Sequence, residues 1–598
     1  MIIFTETGDI NKEVNSIKEL IGFFDQSEEK PLDLYRIGFN IKNWGQDNQE
    51  RTKEQDYIYE NLAFSLFENR NADVWGTRFG PEHHGKSGNQ EFIQPQLKEI
   101  TPEAIAYWEQ RINEVRHPTL KLQYTGLVYT FKEKVTGQKC SESFLRDYVD
   151  TIINASENGY ERPLDSVQKH LPVAYEIAKT YPDSDLLPRV KAEYLRITNS
   201  SPLPYVGEWL AYFDLMLNNI REKRLFSDKE KQDLVVIIEN RLSALISLDP
   251  NATGDAKLNP FSVKDVAEKL ATFYKQTNDV TNKERVISYV ENSFRAVLPQ
   301  ANPLQQLAWL GEVQKCYSKF GMTTQAQALY ADIQNAGIQA KNALQPYEVL
   351  KEIPVEMVEK AEQMIKEIIQ GTEDDVFGNF VYAMLPKLND IKALVKVQTV
   401  YPFKIQILSD NGLPLSVIND ETGKEYRTCA QLIKFEEPVM RMMVQSLQEH
   451  QVFTHEGIVK HIMASGLIDA DRQEVIEKGV QFYLNGDGVT ACHLLMPQIE
   501  HAICNLALKK NAPALRGQRA GDGYMIQLMD KLFDVKEIKD ALGDDVVFYL
   551  RALLTEQRGL NLRNDLCHGL MNPLYFDINK ADRIIHVLLL LGGLNVEE

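Results

Sequence analysis

Apolar residues recur every three to four positions along most of this chain, the spacing that gathers them on one face of a helix. The early stretch "INKEVNSIKELIGFF" does so. From about 141 to 345 the pattern returns in segment after segment. "YVDTIINASENGY", "HLPVAYEIAKTY", "KLATFYKQTND" and "WLGEVQKCYSKFG" each carry an apolar stripe that closes on an aromatic residue and a turn. Two stretches break the rhythm. "NADVWGTRFGPEHHGKSGNQ" at 71–90 is rich in Gly and polar residues and predicts a loop. At 404–428, "KIQILSD", the dipeptide Asn411-Gly412, "LPLSVIND" and "KEYRT" alternate apolar with polar residues around a turn, which predicts a β-hairpin.

The last 150 residues return to helical spacing. They run from "THEGIVKHIMASGLI" through "VIEKGVQFYLNGDGVTACHLLMPQIEHAICNLALKK" to an irregular basic loop, "NAPALRGQRAGDG". The helix-like "YMIQLMDKLF" follows, then "DDVVFYLRALLTEQRGLNLRNDLCHGL" and "INKADRIIHVLLLLGGL". Helices joined by short polar turns predict a compact bundle.

The chain therefore reads as all-α with one small hairpin. A helical N-terminal region covers 1–140, and irregular α-solenoid-like repeats cover 141–400. The hairpin and a linker helix occupy 401–450, and the helical bundle 451–598. Within the repeats, "KLATFYKQTND" resembles the later "EVQKCYSKFGM". "MTTQAQALYADIQNAG" resembles the second helix of a tetratricopeptide-type hairpin. Solenoids present long concave faces, so this part suggests recognition of a partner.

Composition adjusts this picture in a few places. At 598 residues the chain exceeds what one hydrophobic core organises. Its net charge of −19 excludes a protein that coats nucleic acid indiscriminately, but leaves room for a local basic site. Cysteines at 140, 316, 429, 492, 504 and 567 form no CxxC pair, which predicts free, mostly buried thiols in a reducing compartment. "MIIFTETGDINKEV" lacks the basic start and apolar run of a secretory signal. "IIHVLLLLGGL" at 584–594 is too short to cross a bilayer and predicts a buried last helix. A cytoplasmic location without membrane contact is expected. The adjacent His83 and His84 have no third ligand at metal spacing, and no nucleotide-binding fingerprint occurs, so neither metal nor cofactor is expected.

One cluster in the tail carries chemistry. In "NLRNDLCHGL", Asn564 and His568 are four residues apart and would stack on one helix face, within about 40° of each other. Arg563 diverges from His568 by about 140°, but its length lets it reach a shared pocket mouth. Asn564 would orient the imidazole. Histidine exchanges protons near neutral pH and suits general acid–base work on a ribose hydroxyl or a leaving oxygen. Arginine's fixed, forked charge suits a scissile phosphate. A single histidine cannot easily serve both sides of phosphorus, and a symmetric dimer would supply the second. Cys567 lacks a second base and reads as core. "KKNAPALRGQR" brings Lys509, Lys510, Arg516 and Arg519 together, either to guide an RNA backbone or as a solvated loop.

"RNDLCHG" at 563–569 matches the RNxxxHG signature of a family of large helical proteins. Its C-terminal domain is similar to the HEPN (higher eukaryotes and prokaryotes nucleotide-binding) ribonuclease superfamily. "HLLMPQIEHAI" resembles that superfamily's first bundle helix and "YLRALLTEQRGLNLRNDLCHGL" its motif helix. The "WGTRFGPEHH" region and the helices after it resemble, more loosely, the family's long extension. The resemblance implies metal-independent RNA cleavage by a homodimer with paired motifs, often in defence, toxin or stress systems. A protein or phage-derived trigger would act on the rest of the chain. Arg563 and His568 would be catalytic, with Asn564 as the polar neighbour.

Other readings stay open on the residues alone. Asn564 or Asp565 would also serve as caps at a helix start, and His568 before Gly569 as a helix C-cap. His493 and Glu500 share a helix face around Pro497, either lining a common pocket or packing in the bundle. A non-catalytic scaffold that binds a partner through its repeats and dimerises through its bundle also fits.

Overall fold

In the computed structural model, residues 14–68, 74–87, 90–182, 184–222, 224–344, 355–397, 405–408, 414–418, 420–517 and 523–595 are described. Helices dominate, with four small two-stranded antiparallel sheets among the described residues. The all-α expectation therefore holds, and strands are confined to hairpin-sized pairs. The chain divides into two compact units: residues 1–300 with 315–323, and residues 301–314 with 324–598. The division falls within the segment 141–400 read from the sequence as repeats, not at one of its ends.

In the first unit, each helix packs chiefly on its neighbours in the chain. Pro102–Glu114 lies on Pro118–Thr136, Leu171–Thr180 on Leu186–Ser200, and Pro260–Gln276 on Val280–Val297. Trp44, Trp108 and Tyr124 are wholly buried in the N-terminal core. Inside that core, Glu60 accepts from Arg111 Nε at 2.7 Å, from Tyr107 Oη at 3.0 Å and from Tyr124 Oη. Burial pushes the Glu60 carboxyl above its usual range, and the Arg111 charge opposes that rise. Such a charge keeps its place only because several donors share it.

The segment 71–90, expected as a loop, instead contains strand. Leu66–Glu68 pairs with Phe79–Pro81, and His83–Ser87 pairs with Gln90–Gln94, setting His83 opposite Gln94. The Gly-rich, polar stretch that suggested a loop contributes to two short antiparallel pairs, three and five residues long.

In the second unit the last helix, Ile578–Gly592, is central. It packs on Gly488–Lys509, His455–Ala464, Glu373–Ala383 and Glu437–Glu449, and every residue from Lys580 to Gly592 is buried. The apolar run that predicted a buried closing helix is thus the bundle's axis. The hairpin expected at 404–428 is shorter. Ile405–Leu408 pairs with Pro414–Ile418, while the dipeptide Asn411-Gly412 lies outside the described residues. "KEYRT" is helical, because the Asp420 side chain caps the helix Glu421–Phe435 by accepting from Gly423 N. "YMIQLMDKLF" also divides. Tyr524–Ile526 pairs with Leu515–Gly517, and only Met529–Leu532 is helical. Among the described residues, no helix is long and apolar enough to cross a membrane.

Candidate functional site

The motif does not ride on one long helix. Asp544–Leu550 runs into a π-helical stretch, Arg551–Thr555, a turn follows, and a separate six-residue helix, Leu562–Cys567, holds Arg563 and Asn564. The turn is tight for identifiable reasons. Leu560 N donates to Ala552 O at 2.7 Å, and a Cβ on Gly559 would meet that same carbonyl at 2.2 Å, so only glycine fits. Arg558 bonds Glu556 and, at 3.2 Å, Asp420. Burial pushes the Glu556 carboxyl up, but its bonds to Arg558 outweigh this and hold it below the usual range.

Asn561 starts the motif helix in the left-handed region, φ 54°, which asparagine tolerates better than most residues. Its side chain does not cap the helix. It accepts from Asn564 Nδ2 at 2.7 Å and donates to Asp565 Oδ1 at 3.1 Å. Asn564 accepts in turn from Arg563 Nη1 at 3.0 Å. The polar side chains at the start of this helix bond to one another, so neither Asn564 nor Asp565 is its N-cap.

Arg563 is held on its other side by Glu500 of the long helix Gly488–Lys509. Nε donates to Oε2 at 3.0 Å and Nη2 to Oε1 at 2.8 Å, a forked pair of the strong, geometrically specific kind. The pair is partly buried, with side-chain exposures of 19% and 30%. Glu500 and His493 do not form a common polar site. The His493 ring bonds back to Val489 O at 2.8 Å and lies edge-on to Phe576. The sequence signal for Glu500 was a carboxylate set among the apolar residues of "HLLMPQIEHAICNLAL". What it faces was not legible.

His568 ends the helix as its C-cap, and Gly569 follows with φ 62°. Leu570 N donates to Asp565 O at 2.9 Å and Gly569 N to Leu566 O at 3.2 Å, which completes a Schellman closure. The capping reading of His568 is correct for its backbone. Its side chain is a separate matter: it is exposed, and no partner for the ring occurs among the described residues. The expected hydrogen bond from Asn564 to the imidazole is absent among the described residues, because Asn564 is turned toward Asn561 and Thr555 O. Cys567, expected in the core, is exposed on the last position of this short helix. Partial cover raises its thiol above the ordinary range, with Arg563 opposing and Glu500 adding to the rise. A thiol shifted upward is a poor nucleophile.

Of the basic residues, Lys509 is exposed on the last turn of the Glu500 helix, Lys510 is half-buried at its C-cap, and Arg516 is exposed on Leu515–Gly517. Arg519 lies outside the described residues. Both strands of that hairpin are exposed throughout. His83 stands 3.7 Å from Glu82, and among the described residues no group of three or more His, Cys, Asp or Glu side chains is arranged to hold a metal ion.

The site thus offers an unengaged imidazole and a guanidinium neutralised by a carboxylate, on a short helix whose start is set by a tight turn. It can exchange a proton at His568 and, where Glu500 yields, receive an anion at Arg563. Comparison of the chain with family models, with curated proteins and with solved structures gave no match in any of the three.

Proposed function

We infer that the C-terminal bundle is an endoribonuclease of HEPN type that works without metal as a homodimer, plausible settings being defence or a toxin-like stress response. The observation that carries this reading is the exposed His568 ring, unengaged by its own subunit and set at the C-cap of the short helix that holds Arg563. In the reaction, the ribose 2′-oxygen attacks phosphorus as one imidazole takes its proton. The P–O5′ bond breaks, and the partner's imidazole protonates the leaving 5′-oxygen. The products are a 2′,3′-cyclic phosphate and a 5′-hydroxyl. Arg563 holds the charge gathering on the phosphoryl oxygens. The remaining helical chain senses a trigger or restrains the nuclease.

The test is RNA cleavage by the purified full-length chain and by His568→Ala, with and without EDTA. Cyclic-phosphate ends that survive EDTA and vanish in the variant are the expected result. Cleavage that persists in His568→Ala, or depends on added metal, overturns the reading.

A second reading, a non-catalytic scaffold, is favoured by one observation: Glu500 and Asn564 satisfy Arg563 within the subunit. Under that reading, wild type and variant leave RNA equally intact.

A further inference from the structure

The first unit holds a cavity of about 640 Å³, within the size range of small-molecule sites. Three segments frame it, and the sequence shows why. On the helix Leu34–Asp47, Lys42, Gly45 and Gln46 fall at i, i+3 and i+4 and share a face. On Gln55–Ala63, Tyr57 and Asn61 are four apart and share another, with Ser65 just past the helix end. Gln94, paired with His83 at the end of its hairpin, belongs to the third side. We propose that this cavity binds a small uncharged saccharide of one or two rings.

The observation that leads there is one hydroxyl. Ser65 is 7% exposed and lines the cavity. Its backbone is engaged: Ser65 N donates to Leu62 O at 3.2 Å, and Ser65 O accepts from Glu82 N at 3.0 Å. Its side chain bonds to nothing among the described residues. Buried hydroxyls are nearly always bonded, so one left over beside open space calls for a partner from outside the chain. Asn61 and Tyr57, half-buried on the same wall, also have no side-chain hydrogen bond among the described residues. Packing fixes the Tyr57 ring. Its centroid lies 5.8 Å from that of Trp44, and a Cβ at residue 45 would stand 2.1 Å from Tyr57 Oη, so glycine there leaves the ring its place. Burial raises the Tyr57 phenol, which stays a neutral donor and acceptor.

The charges on the wall agree. Lys42 is paired with Glu82, which also has His83 at 3.7 Å. Glu99 accepts from Gln96 N at 2.7 Å within a capping box. A phosphate or an organic cation therefore finds its counter-charges already engaged. What remains is two hydroxyls and the carboxamides of Gln46, Asn61 and Gln94, groups that both donate and accept. A sugar hydroxyl also takes both roles, and a ring edged with hydroxyls matches a wall of that kind. The residues all belong to the first unit, so the proposal does not rest on the ribonuclease reading.

The experiment is saturation-transfer NMR titration of the full-length protein with glucose, N-acetylglucosamine and maltose, with adenosine and spermidine as probes of other chemistry. Saturable binding of at least one sugar is expected, with an affinity that salt leaves unchanged because no charge is involved. Asn61→Ala should weaken it roughly tenfold and Ser65→Ala about fivefold, the reach of one or two hydrogen bonds. Ser65→Ala should leave the unfolding temperature unmoved, because its hydroxyl has no partner in the fold to lose. The proposal fails if none of the three sugars binds saturably, as it would if water alone fills the cavity. It fails equally if Ser65→Ala binds sugar as wild type does, or if adenosine or spermidine is the probe whose binding that variant removes.

Discussion

In the last helix, Arg583 and His586 are wholly enclosed by protein, whereas in the motif turn Arg563 is partly covered and the His568 ring stands in solvent. Arg583 donates to the carbonyls of Met384 and Ile433 and to Glu436, tying the ends of two helices, Glu373–Ala383 and Glu421–Phe435, to the bundle axis. His586 bonds Val381 O at 3.0 Å and Tyr549 Oη at 3.1 Å. Burial, with Arg583 adding to it, drives its pKa down to about 3, so it is a neutral part of the core. The same two residue types thus do two kinds of work in one unit. Where both ring nitrogens are bonded and both terminal nitrogens of the guanidinium are held, with only Arg583 Nε left without a partner, the residues hold helices together. Where the imidazole is left over, the ring does not hold the fold together. The contrast also separates stability from activity, which mutation can test.

The largest effect expected is on rate. His568→Ala should lower RNA cleavage by roughly 10²–10⁴, the usual weight of a general acid or base. It should leave the urea midpoint almost unmoved, within about 0.5 kcal/mol, because the ring is exposed. Arg583→Met should do the reverse. Removing one partner from a buried charge network costs about 3–5 kcal/mol, so unfolding should shift strongly. Equal loss of stability in the two variants, measured by urea denaturation, would erase the distinction between them.

Acid should expose the next largest effect. Below its unfolded value near 6.5, His586 takes up a proton in the unfolded chain but not in the folded one, down to about pH 3. Its contribution is therefore complete above about pH 6.5 and shrinks by about 1.4 kcal/mol per pH unit on acidification. Asp582, beside it, works in the opposite direction. Burial raises it to about 6, against bonds from Tyr483 and the charge of Arg441, and its Oδ2 has no partner. Between about pH 6 and 4 the folded state holds a proton there that the unfolded chain has released, so acidification stabilises. The contributions of these two groups should nearly cancel across that window. Against wild type, Asp582→Asn should make stability fall with acid, and His586→Gln should make it rise. Urea midpoints at pH 4, 5, 6 and 7 decide the matter. Parallel curves for all three proteins would mean that these two groups do not control the window.

How much of this was readable from the sequence differs between the two places for a physical reason. The apolar run of Ile584–Leu594 announces a buried helix because burial is recorded in every residue, and the structure places it at the axis of the second unit. The embedded Arg583 and His586 give no sign of their partners, which lie far off in the chain. In the tail, the spacing of Arg563, Asn564 and His568 was visible, but it was read on one continuous helix. Gly559, Asn561 and the π segment break that helix, and the break turns Asn564 away from the imidazole. Helical spacing states where side chains would lie if the helix continued. It does not state whether a carbonyl such as that of Ala552 interrupts it. Glu500 was visible as a carboxylate sharing a face with His493, but its pairing with Arg563 was not, because a single carboxylate does not name its partner.

Glu500 is where the two modes of use meet, and its removal gives the subtlest test. At present Arg563 resembles Arg583, in that its charge is matched by a carboxylate of the same subunit. If RNA is the ligand, the phosphate must share or displace that carboxylate. Glu500→Gln keeps the size and one accepting oxygen while removing the charge. Because the pair is partly exposed, stability should fall by no more than about 1 kcal/mol. RNA should bind more tightly, and the slope of log affinity against log salt should steepen by about 0.7 for the one added phosphate contact on a single strand. Binding by His568→Ala in the same background gives affinity without turnover, so the two effects can be read apart. Weaker binding with an unchanged slope would reverse the assignment: Glu500 would then be the strut that aims Arg563 at the phosphate, and the guanidinium would need its partner in order to work.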